Sequence, residues 1–465
     1  MKEISAGAIR EELKEMFRLW LSPSFAGGFR ARTGNELSES LPIADYSDPV
    51  LPLVFPMLQH QGIPCKPLVA VGDRVLKNQV IGAPPENGVP IFSSVSGTVR
   101  NIRPVPHPLG DMVTGVIIDN DHLFETASYP YEPCDPFSLD RQQILDRVRY
   151  AGLVGMGGAG YPTYLKLDPG EDKPIRHILI NSCESEPYVT GNFRLLVEEP
   201  DKMLDGLKIL MFLFPEAEGV ICMENDKPDA YRRLKEFVAV QDNIRVVTLQ
   251  AKYPQGSEKQ LIHTVTGAEI PTGSTPADLG CLVLNLETLL AVSAAVREGH
   301  PLLEKVVTIT GDCVSAPKNF RVPLGTSMKE LLEQTGELLK DPERIVCGGP
   351  IMGTVVNTAD IPVIKTSSCL LLLSEDITPP AVESECIRCG KCLQVCPMRL
   401  RPSLLNKLVL AGDIKGFEAA YGMNCIECGA CQYICPAGRL LLQTCLSGKR
   451  AVIEASGTGS GEATS

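Results

Sequence analysis

The spacing of apolar residues changes several times along this 465-residue chain, and each change predicts a different unit. Near the N-terminus apolar side chains recur every three or four residues, which predicts a helix with one apolar face. Its apolar positions are Leu13, Met16, Phe17, Trp20 and Leu21. We expect this helix and an extended segment to occupy residues 1–50. Its polar face carries more acid than base, which favours packing against protein over lying on a membrane surface.

Residues 51–130 carry short β-branched runs broken by glycine and proline, which predicts strands joined by tight turns. The runs PLVAVGDRVLKNQVIG and VPIFSSVSGTVRNI form two similar halves and predict a small β-sandwich. The pattern resembles the barrel-sandwich hybrid of lipoyl and biotinyl carrier domains. Those carriers present a modified lysine on a hairpin, and the corresponding stretch ENGVPIFSS has none. A structural or docking module is therefore expected.

Helix and strand patterns alternate over residues 137–300, which predicts parallel strands with right-handed crossovers in a Rossmann-like domain. The expected helices are one capped by Ser138 that ends at Arg149, one over residues 195–214 and one over residues 229–238. The expected strands are HILIN, GVICME and IRVVTLQ. The fold class is therefore multidomain α/β plus β.

Two smaller units complete the chain. Residues 301–376 show a hairpin, a helix and a returning strand, which predicts a β-grasp domain of the soluble-ligand-binding type, here a spacer or docking module. A proline-containing linker leads into an α-helical, ferredoxin-like domain over residues 381–448. Residues 449–465 end in a low-complexity sequence and are predicted to be a disordered tail.

A doubled cysteine run carries the strongest chemical signal. CIRCGKCLQVCP and CIECGACQYICP both have the spacing C-x2-C-x2-C-x3-C-P, in which the fourth cysteine of each run binds the other cluster. Two 4Fe-4S clusters are therefore expected. The first ligand set is Cys386, Cys389, Cys392 and Cys435, and the second is Cys425, Cys428, Cys431 and Cys396. The alternative, a pair of zinc knuckles, uses two C-x2-C pairs or histidines, and neither matches this run.

Composition limits the possible partners and compartments. A net charge of −12 without a basic stripe argues against nucleic acid as a partner. Cysteine ligands of this kind require a reducing compartment. The chain has no apolar run of 18 residues and no signal-peptide pattern at its start, so we expect a soluble, cytoplasmic protein.

A glycine-rich segment, GLVGMGGAGYPTYLKL, predicts a second site. Gly155, Gly157, Gly158 and Gly160 leave backbone N–H groups accessible to a phosphate or a flat ring, and Lys166 can add a charge. Polar residues also follow two predicted strands and begin a helix, in the segments NSCESEPY, KYPQGSEK and LNLETL. Ligands of parallel sheets bind at the carboxyl ends of strands, so these loops are expected to converge on one pocket. A turn-rich loop without a ligand is the alternative.

From the FAGG at residue 25 to about residue 449, the chain resembles the RnfC family, the flavin/NADH-site subunits of Rnf ferredoxin:NAD oxidoreductase complexes. The most specific matches are the doubled cysteine run, GGAGYPTYLKL, ESEPY and QHQGIPCKPLVAVGDRV. The central domain is similar to the NADH-oxidising flavoprotein subunit of complex I. This resemblance implies FMN as cofactor and NAD(H) as substrate.

The resemblance also implies roles for individual residues. Glu184 and Glu186 would be catalytic residues that orient nicotinamide, Tyr161 would stack beside the rings, and Lys166 would hold the FMN phosphate. The implied cofactor-binding set is Gly155, Gly157, Gly158, Gly160, Tyr161, Lys166, Asn181, Tyr253, Gly256, Glu258, Asn285 and Thr288.

The implied function is that of a peripheral electron-transfer subunit on the cytoplasmic side of the cell membrane. Its partners would be the other subunits of an ion-translocating Rnf complex, including a ferredoxin-like one. Two departures from the complex I pattern, Cys183 and Leu284, raise an alternative: a non-catalytic electron-wiring subunit with a decayed nucleotide pocket. The other alternative is a soluble reductase that feeds an amino-acid reductase or a cobalamin enzyme.

Overall fold

The computed structural model describes residues 21–31, 33–375 and 383–456. Except for Leu21, the predicted N-terminal helix lies outside these ranges, as do most of the predicted linker and the last nine residues of the predicted tail. Within the described ranges, none of the helices combines the length and the apolar character needed to cross a membrane.

The first domain is the predicted β-sandwich. One antiparallel sheet contains four strands, in the spatial order Leu53–Pro56, Met112–Asn120, Gly97–Pro106 and Arg74–Val75. The other contains three, in the order Lys66–Pro67, Val80–Ala83 and Ile91–Phe92. Alternate strand residues such as Leu53 and Phe55 are fully buried between the layers, as the apolar alternation requires.

The second domain contains a four-stranded, wholly parallel sheet in the order Ile244–Leu249, Glu218–Glu224, His177–Asn181 and Cys281–Asn285. This confirms the predicted Rossmann-like arrangement. The strands are nearly continuous apolar runs because helices cover the sheet. These helices are Arg141–Tyr150, Gly191–Glu198, Pro200–Leu213, Pro228–Val238, Glu258–Thr266 and Leu286–Ser293.

Two local predictions in this domain are wrong. The helix Arg141–Tyr150 is capped by Asp140, which forms a reciprocal capping box with Gln143, and Ser138 belongs to the preceding short turn. The helix predicted over residues 195–214 is two helices, because Pro200 begins the second. Proline lacks a backbone N–H and disfavours the helical conformation of the residue before it, so the first helix ends at Glu198.

The third domain is the predicted β-grasp unit. Strands Glu304–Thr310 and Lys318–Pro323 form the hairpin, Met328–Glu333 is the helix, and Cys369–Leu373 returns parallel to the first strand. Arg344–Cys347 and Thr354–Val356 extend the sheet on one side. On the other side, Ala44–Asp45 from the N-terminal segment adds a short edge strand parallel to Lys318–Pro323.

The fourth domain is helical, as predicted, with helices Lys391–Val395, Pro402–Leu410, Ile414–Ala419, Ala430–Tyr433 and Leu441–Ala455. The last helix continues past the predicted start of the disordered tail at residue 449. Leu441, Cys445, Gly448 and Val452 are buried along one face of this helix, so the apolar periodicity continues beyond that boundary. Within the described residues, the helix ends only where the glycine- and serine-rich sequence begins.

Candidate functional site

The glycine-rich segment forms a tight loop between the helix Arg141–Tyr150 and a short helix, Thr163–Lys166. The Gly155 N–H donates to the Tyr161 carbonyl at 2.8 Å, and the Gly160 N–H donates to the Gly155 carbonyl at 3.0 Å, which closes the base of the loop. The tip, Gly157 to Ala159, is exposed. Gly158 has φ +114°, and a Cβ built there would meet nothing within 4 Å. The tip therefore presents bare backbone to one side, as close approach of a ring or phosphate requires.

The loop lies against the polar start of the helix Leu286–Ser293. Asn285 caps this helix by accepting from the Glu287 N–H at 2.9 Å. The Thr288 hydroxyl accepts from the Met156 N–H at 2.9 Å. A Cβ on Gly157 would lie 3.3 Å from the Asn285 amide nitrogen. The cap therefore orients one face of the glycine loop.

The other predicted loops meet at the same edge of the sheet. Asn181 and Asn285 are paired in register at the carboxyl ends of neighbouring parallel strands. The Asn181 side-chain amide donates to the Gly256 carbonyl at 2.7 Å. Lys166 and Glu258 form an ion pair at 2.5 Å, which joins the glycine segment to the KYPQGSEK loop. The structure thus brings the three polar segments and the glycine loop together.

Glu184 and Glu186 are half-buried beside this edge. A Glu184 oxygen accepts from the Asn192 N–H at 2.6 Å, at the start of the helix Gly191–Glu198. Burial raises the pKa of the Glu184 carboxyl to about 8, although that bond and the Phe193 N–H oppose the shift. Near neutral pH part of the population therefore carries a proton that could be donated to a ligand.

Glu186 is held by the β-grasp domain. One of its oxygens accepts from the Ile351 and Met352 N–H groups at 2.7 and 2.9 Å. Burial raises the pKa of the Glu186 carboxyl to about 7. A Cβ on Gly349 would overlap the Glu186 side chain, so only glycine fits there. The β-grasp domain, predicted to be a spacer or docking module, therefore holds a predicted catalytic residue through the turn at Gly349.

The two predicted aromatic residues occupy different surroundings. Tyr161 follows the glycine loop and is 40% exposed. Tyr253 is 4% exposed, and its hydroxyl donates to the Cys428 carbonyl at 2.5 Å in the helical domain. Phe29 packs between Tyr253 and Tyr433, with ring centroids 5.6 and 5.0 Å away. Tyr253 therefore contacts the cysteine-rich domain, and sequence analysis missed Phe29.

Cys183 and Leu284, the two departures from the complex I pattern, pack against different apolar clusters on opposite faces of the sheet. Leu284 is 3% exposed and belongs to the main hydrophobic core. Cys183 packs against a smaller apolar cluster, and burial raises the pKa of its thiol well above the usual value. Successive strand residues point to opposite faces of a sheet, so Leu284 points away from the face that Asn285 and Val283 share, whereas Cys183 borders that face.

The second predicted cluster ligand set surrounds one cavity. Cys396, Cys425, Cys428 and Cys431 all line it, together with apolar side chains that include Leu400 and Leu405. The fourth cysteine of the first run thus joins the first three of the second run, as two-cluster ferredoxin spacing requires. These thiols and their apolar surroundings fit a 4Fe-4S cluster. Cys445 from the last helix lines the same cavity and was not predicted.

The first predicted ligand set is more open. Cys386 and Cys389 are exposed, and Cys392 and Cys435 are partly buried. Across the described residues, no three His, Cys, Asp or Glu side chains are grouped closely enough to hold a single metal ion. A cubane cluster binds its thiolates through four separate irons rather than around one ion.

Four family models match successive parts of the chain. The RnfC barrel-sandwich hybrid domain matches residues 23–123, and the Nuo51 FMN-binding domain matches residues 148–294. The SLBB domain matches residues 306–355, and the 4Fe-4S dicluster domain matches residues 380–436. These matches confirm the four predicted domain types.

Curated relatives match over most of the chain. The C subunit of the proton-translocating ferredoxin:NAD(+) oxidoreductase complex of Clostridium ljungdahlii is 37% identical, over 83% of this chain and 84% of the relative. The Na(+)-translocating counterpart of Acetobacterium woodii is 36% identical, over 82% of this chain and 86% of the relative. A chain of an air-oxidized NAD+-reducing [NiFe]-hydrogenase aligns with a TM-score of 0.48 at 22% identity, over 69% of this chain and 61% of that one. That likeness is too distant to carry an argument.

Proposed function

Because the chain belongs to the RnfC family, the C subunits of ion-translocating ferredoxin:NAD(+) oxidoreductases, we propose that it links NAD(H) to single-electron carriers in such a complex. FMN, when bound, supplies the conversion between hydride transfer and single-electron transfer. The chain supplies a pocket for flavin and nicotinamide, and two cysteine sets for clusters. Its partners are the other subunits of the complex, including an iron–sulfur electron-transfer subunit.

The pocket residues have separate roles in this proposal. The exposed glycine tip receives the flat ring, and Lys166 binds the phosphate with Glu258 keeping its ammonium in place. Asn181, Gly256, Asn285 and Thr288 fix the walls around the loop. Tyr161 provides an exposed ring for stacking.

Glu184 and Glu186 orient the nicotinamide ribose or amide. With pKa values raised by burial to about 8 and about 7, each carboxyl is protonated in part of the population near neutral pH. A protonated carboxyl donates a hydrogen bond, whereas an ionised one only accepts. These groups can therefore bind both donors and acceptors on the substrate.

One observation carries the proposal: a single short loop touches both redox regions. Residues 253–258 reach the pocket through Gly256 and Glu258. The same loop reaches the second cysteine set through the bond from Tyr253 to the Cys428 carbonyl. This loop supports the proposal that the two-electron site and the one-electron site are neighbours.

The decayed-pocket alternative loses part of its basis in this geometry. It rests on Cys183 and Leu284, and Leu284 lies in the main hydrophobic core on the face of the sheet opposite to Asn285. The residues that face the glycine loop, Asn285 and Thr288, match the flavin-binding pattern. We therefore favour an enzyme subunit over a passive electron wire.

We further propose that the protein is peripheral and docks on the cytoplasmic side of a membrane complex. The open face around Cys386 and Cys389 is suited to electron exchange with a partner, since both thiols are exposed. Under mild lysis the protein should sediment with membranes and be released by chaotrope. A chain that stays in the supernatant without membrane subunits would instead favour the soluble reductase.

The flavin site is tested with Lys166→Ala, which removes a charge-assisted phosphate contact. FMN binding should weaken by about 1.5–3 kcal/mol, or about 10- to 150-fold. Lys173→Ala is the matched control, because Lys173 pairs with Asp278 away from the pocket. FMN affinity is measured by fluorescence quenching, and NADH should bleach the flavin without a partner. Equal FMN affinity in the two variants would contradict the assignment of Lys166.

A further inference from the structure

Two lysines of the β-grasp domain are buried beneath the glycine loop. Lys305 is 2% exposed and Lys365 is 0% exposed. Lysine is almost never fully buried unless its ammonium group is paired, because removal of a charge from water is costly. Neither residue belongs to the flavin-binding pattern, so their burial requires another explanation.

Lys365 joins three domains. Its ammonium donates to the Gly152 carbonyl at 2.7 Å, just before the glycine loop, and to the Pro90 carbonyl of the β-sandwich at 2.7 Å. Its own backbone N–H donates to the Gln59 side chain at 3.3 Å. Burial lowers the pKa of Lys365 to about 7, yet both bonds require only N–H donors, which the neutral amine also has.

Lys305 holds the loop four residues further on. Its ammonium donates to the Met156 carbonyl at 3.3 Å and forms a buried ion pair with Glu287. Glu287 in turn accepts from the Val306 N–H at 2.8 Å. Since the Met156 N–H is bonded to Thr288, both polar backbone groups of the residue before the exposed tip are fixed.

These contacts fix the base of the loop but not its tip. The carbonyls of Gly152 and Met156 are anchored from below, whereas Gly157 to Ala159 are exposed. A glycine-rich tip loses much conformational entropy when it is ordered, so a ligand binds more tightly if the base is ordered beforehand. We propose that the β-grasp domain positions the flavin loop through Lys305 and Lys365, a role that rests on the proposed function.

A purely stabilising role explains this arrangement less well. Replacing buried ion pairs by apolar residues is often neutral or stabilising, so a buried lysine is weak evidence for stability alone. Each of these two side chains instead fixes the position of one backbone carbonyl at the base of the loop. Both are therefore positioning residues and not catalytic ones.

Two variants test the two anchors separately. Lys365→Met keeps an unbranched side chain and removes the donors to Gly152 and Pro90. Lys305→Met combined with Glu287→Gln removes the ion pair without leaving a buried lone charge, and it keeps an oxygen for the Val306 N–H. Lys329→Met is the control, because Lys329 is an exposed lysine of the same domain.

Two measurements are made on the full-length protein with its clusters. Amide hydrogen exchange over residues 153–161 should become faster in both anchor variants and stay unchanged in the control. FMN affinity should fall about tenfold or more in each, with iron content unchanged, since the loop must then be ordered on binding. A lowered melting temperature with unaltered loop exchange and FMN affinity would overturn the proposal.

The outcomes separate this inference from the proposed function. If the unaltered protein binds no FMN, the proposed function fails, while the exchange data still show whether the lysines hold the loop. If the unaltered protein binds FMN and the variants bind it equally well, the positioning role alone fails. The two variants alter different contacts, so failure of one to fold leaves the other as a test.

Discussion

The two cysteine runs have the same spacing and the same local backbone, but different surroundings. Gly390 and Gly429 both adopt left-handed φ angles, 77° and 70°, and Arg388 and Glu427 also match, at 56° and 60°. A Cβ on Gly390 would meet nothing within 4 Å, whereas one on Gly429 would lie 3.2 Å from the Ile351 carbonyl. The spacing thus fixes the shape of each loop, and tertiary packing fixes its exposure.

Because of this difference in exposure, the first run is suited to contact with another protein and the second run to contact with other domains of the same chain. The first run exposes Cys386, Cys389 and, at 66%, Ile387. The second run is covered by Tyr253, by the β-grasp turn at Ile351 and by the last helix. In the proposed function, the covered run faces the flavin pocket and the open run faces a partner.

The largest expected effect comes from Cys396→Ala, which tests whether the runs exchange their fourth ligand. The protein should lose about four of about eight irons. Cys425, Cys428 and Cys431 should become open to alkylation, while Cys386, Cys389 and Cys392 stay protected. Iron assay and mass spectrometry of alkylated peptides check this. Cys435→Ala should give the reverse pattern, and loss of the first-run thiols in Cys396→Ala would mean that each run binds its own cluster.

A second test compares the two runs without mutation. During anaerobic treatment with an iron chelator and iodoacetamide, Cys386 and Cys389 should be alkylated about tenfold faster than Cys428. Cys386 and Cys389 are exposed to the reagent, whereas Cys428 lines a cavity among apolar side chains and is only partly exposed. Peptide mapping over time gives the rates. Equal rates would show that the difference in exposure does not persist in solution.

A third test removes a lysine contact with the backbone of the second run. Within the part of the chain that the structure describes, the first run has no such contact. The Lys449 ammonium donates to the Cys425 carbonyl at 3.1 Å and pairs with Glu427. Lys449→Met should lower the free energy of unfolding by about 2 kcal/mol, as for a hydrogen bond to a charged group. Lys391→Met, at an exposed position in the first run, should change it by about 0.5 kcal/mol or less. Denaturant titrations of iron-loaded protein measure both, and similar losses would contradict the comparison.

The smallest expected effect is that of Tyr253→Phe, which removes only the hydroxyl bonded to the Cys428 carbonyl. Burial raises the pKa of this hydroxyl far above neutrality, so it acts as a donor. Stability should fall by about 1 kcal/mol. Tyr421→Phe, at a ring that is 69% exposed, is the control and should have no measurable effect. The same denaturant titrations detect the difference.

Much of the fold could be predicted because its signals are local. Alternating apolar residues, helix–strand alternation and the cysteine spacing each act within a few turns of chain, and the corresponding domain types are confirmed. The wrong predictions concern the ends of helices, where single residues or a few buried positions decide the boundary. Pro200 split a predicted helix, Asp140 replaced Ser138 as the cap, and buried positions such as Val452 extended the last helix.

By itself the sequence determined which residues can do chemistry: the glycine loop, the polar strand ends and the two cysteine runs. Only the tertiary structure decided how these are held. The clamp on Glu186 by Ile351 and Met352, the burial of Lys305 and Lys365, and the turn of Tyr253 toward Cys428 all join residues that are far apart in sequence. Backbone carbonyls and N–H groups form one side of these contacts. Every residue carries a backbone carbonyl and nearly every residue an N–H, so no sequence motif marks them, and their partners depend on how the domains pack.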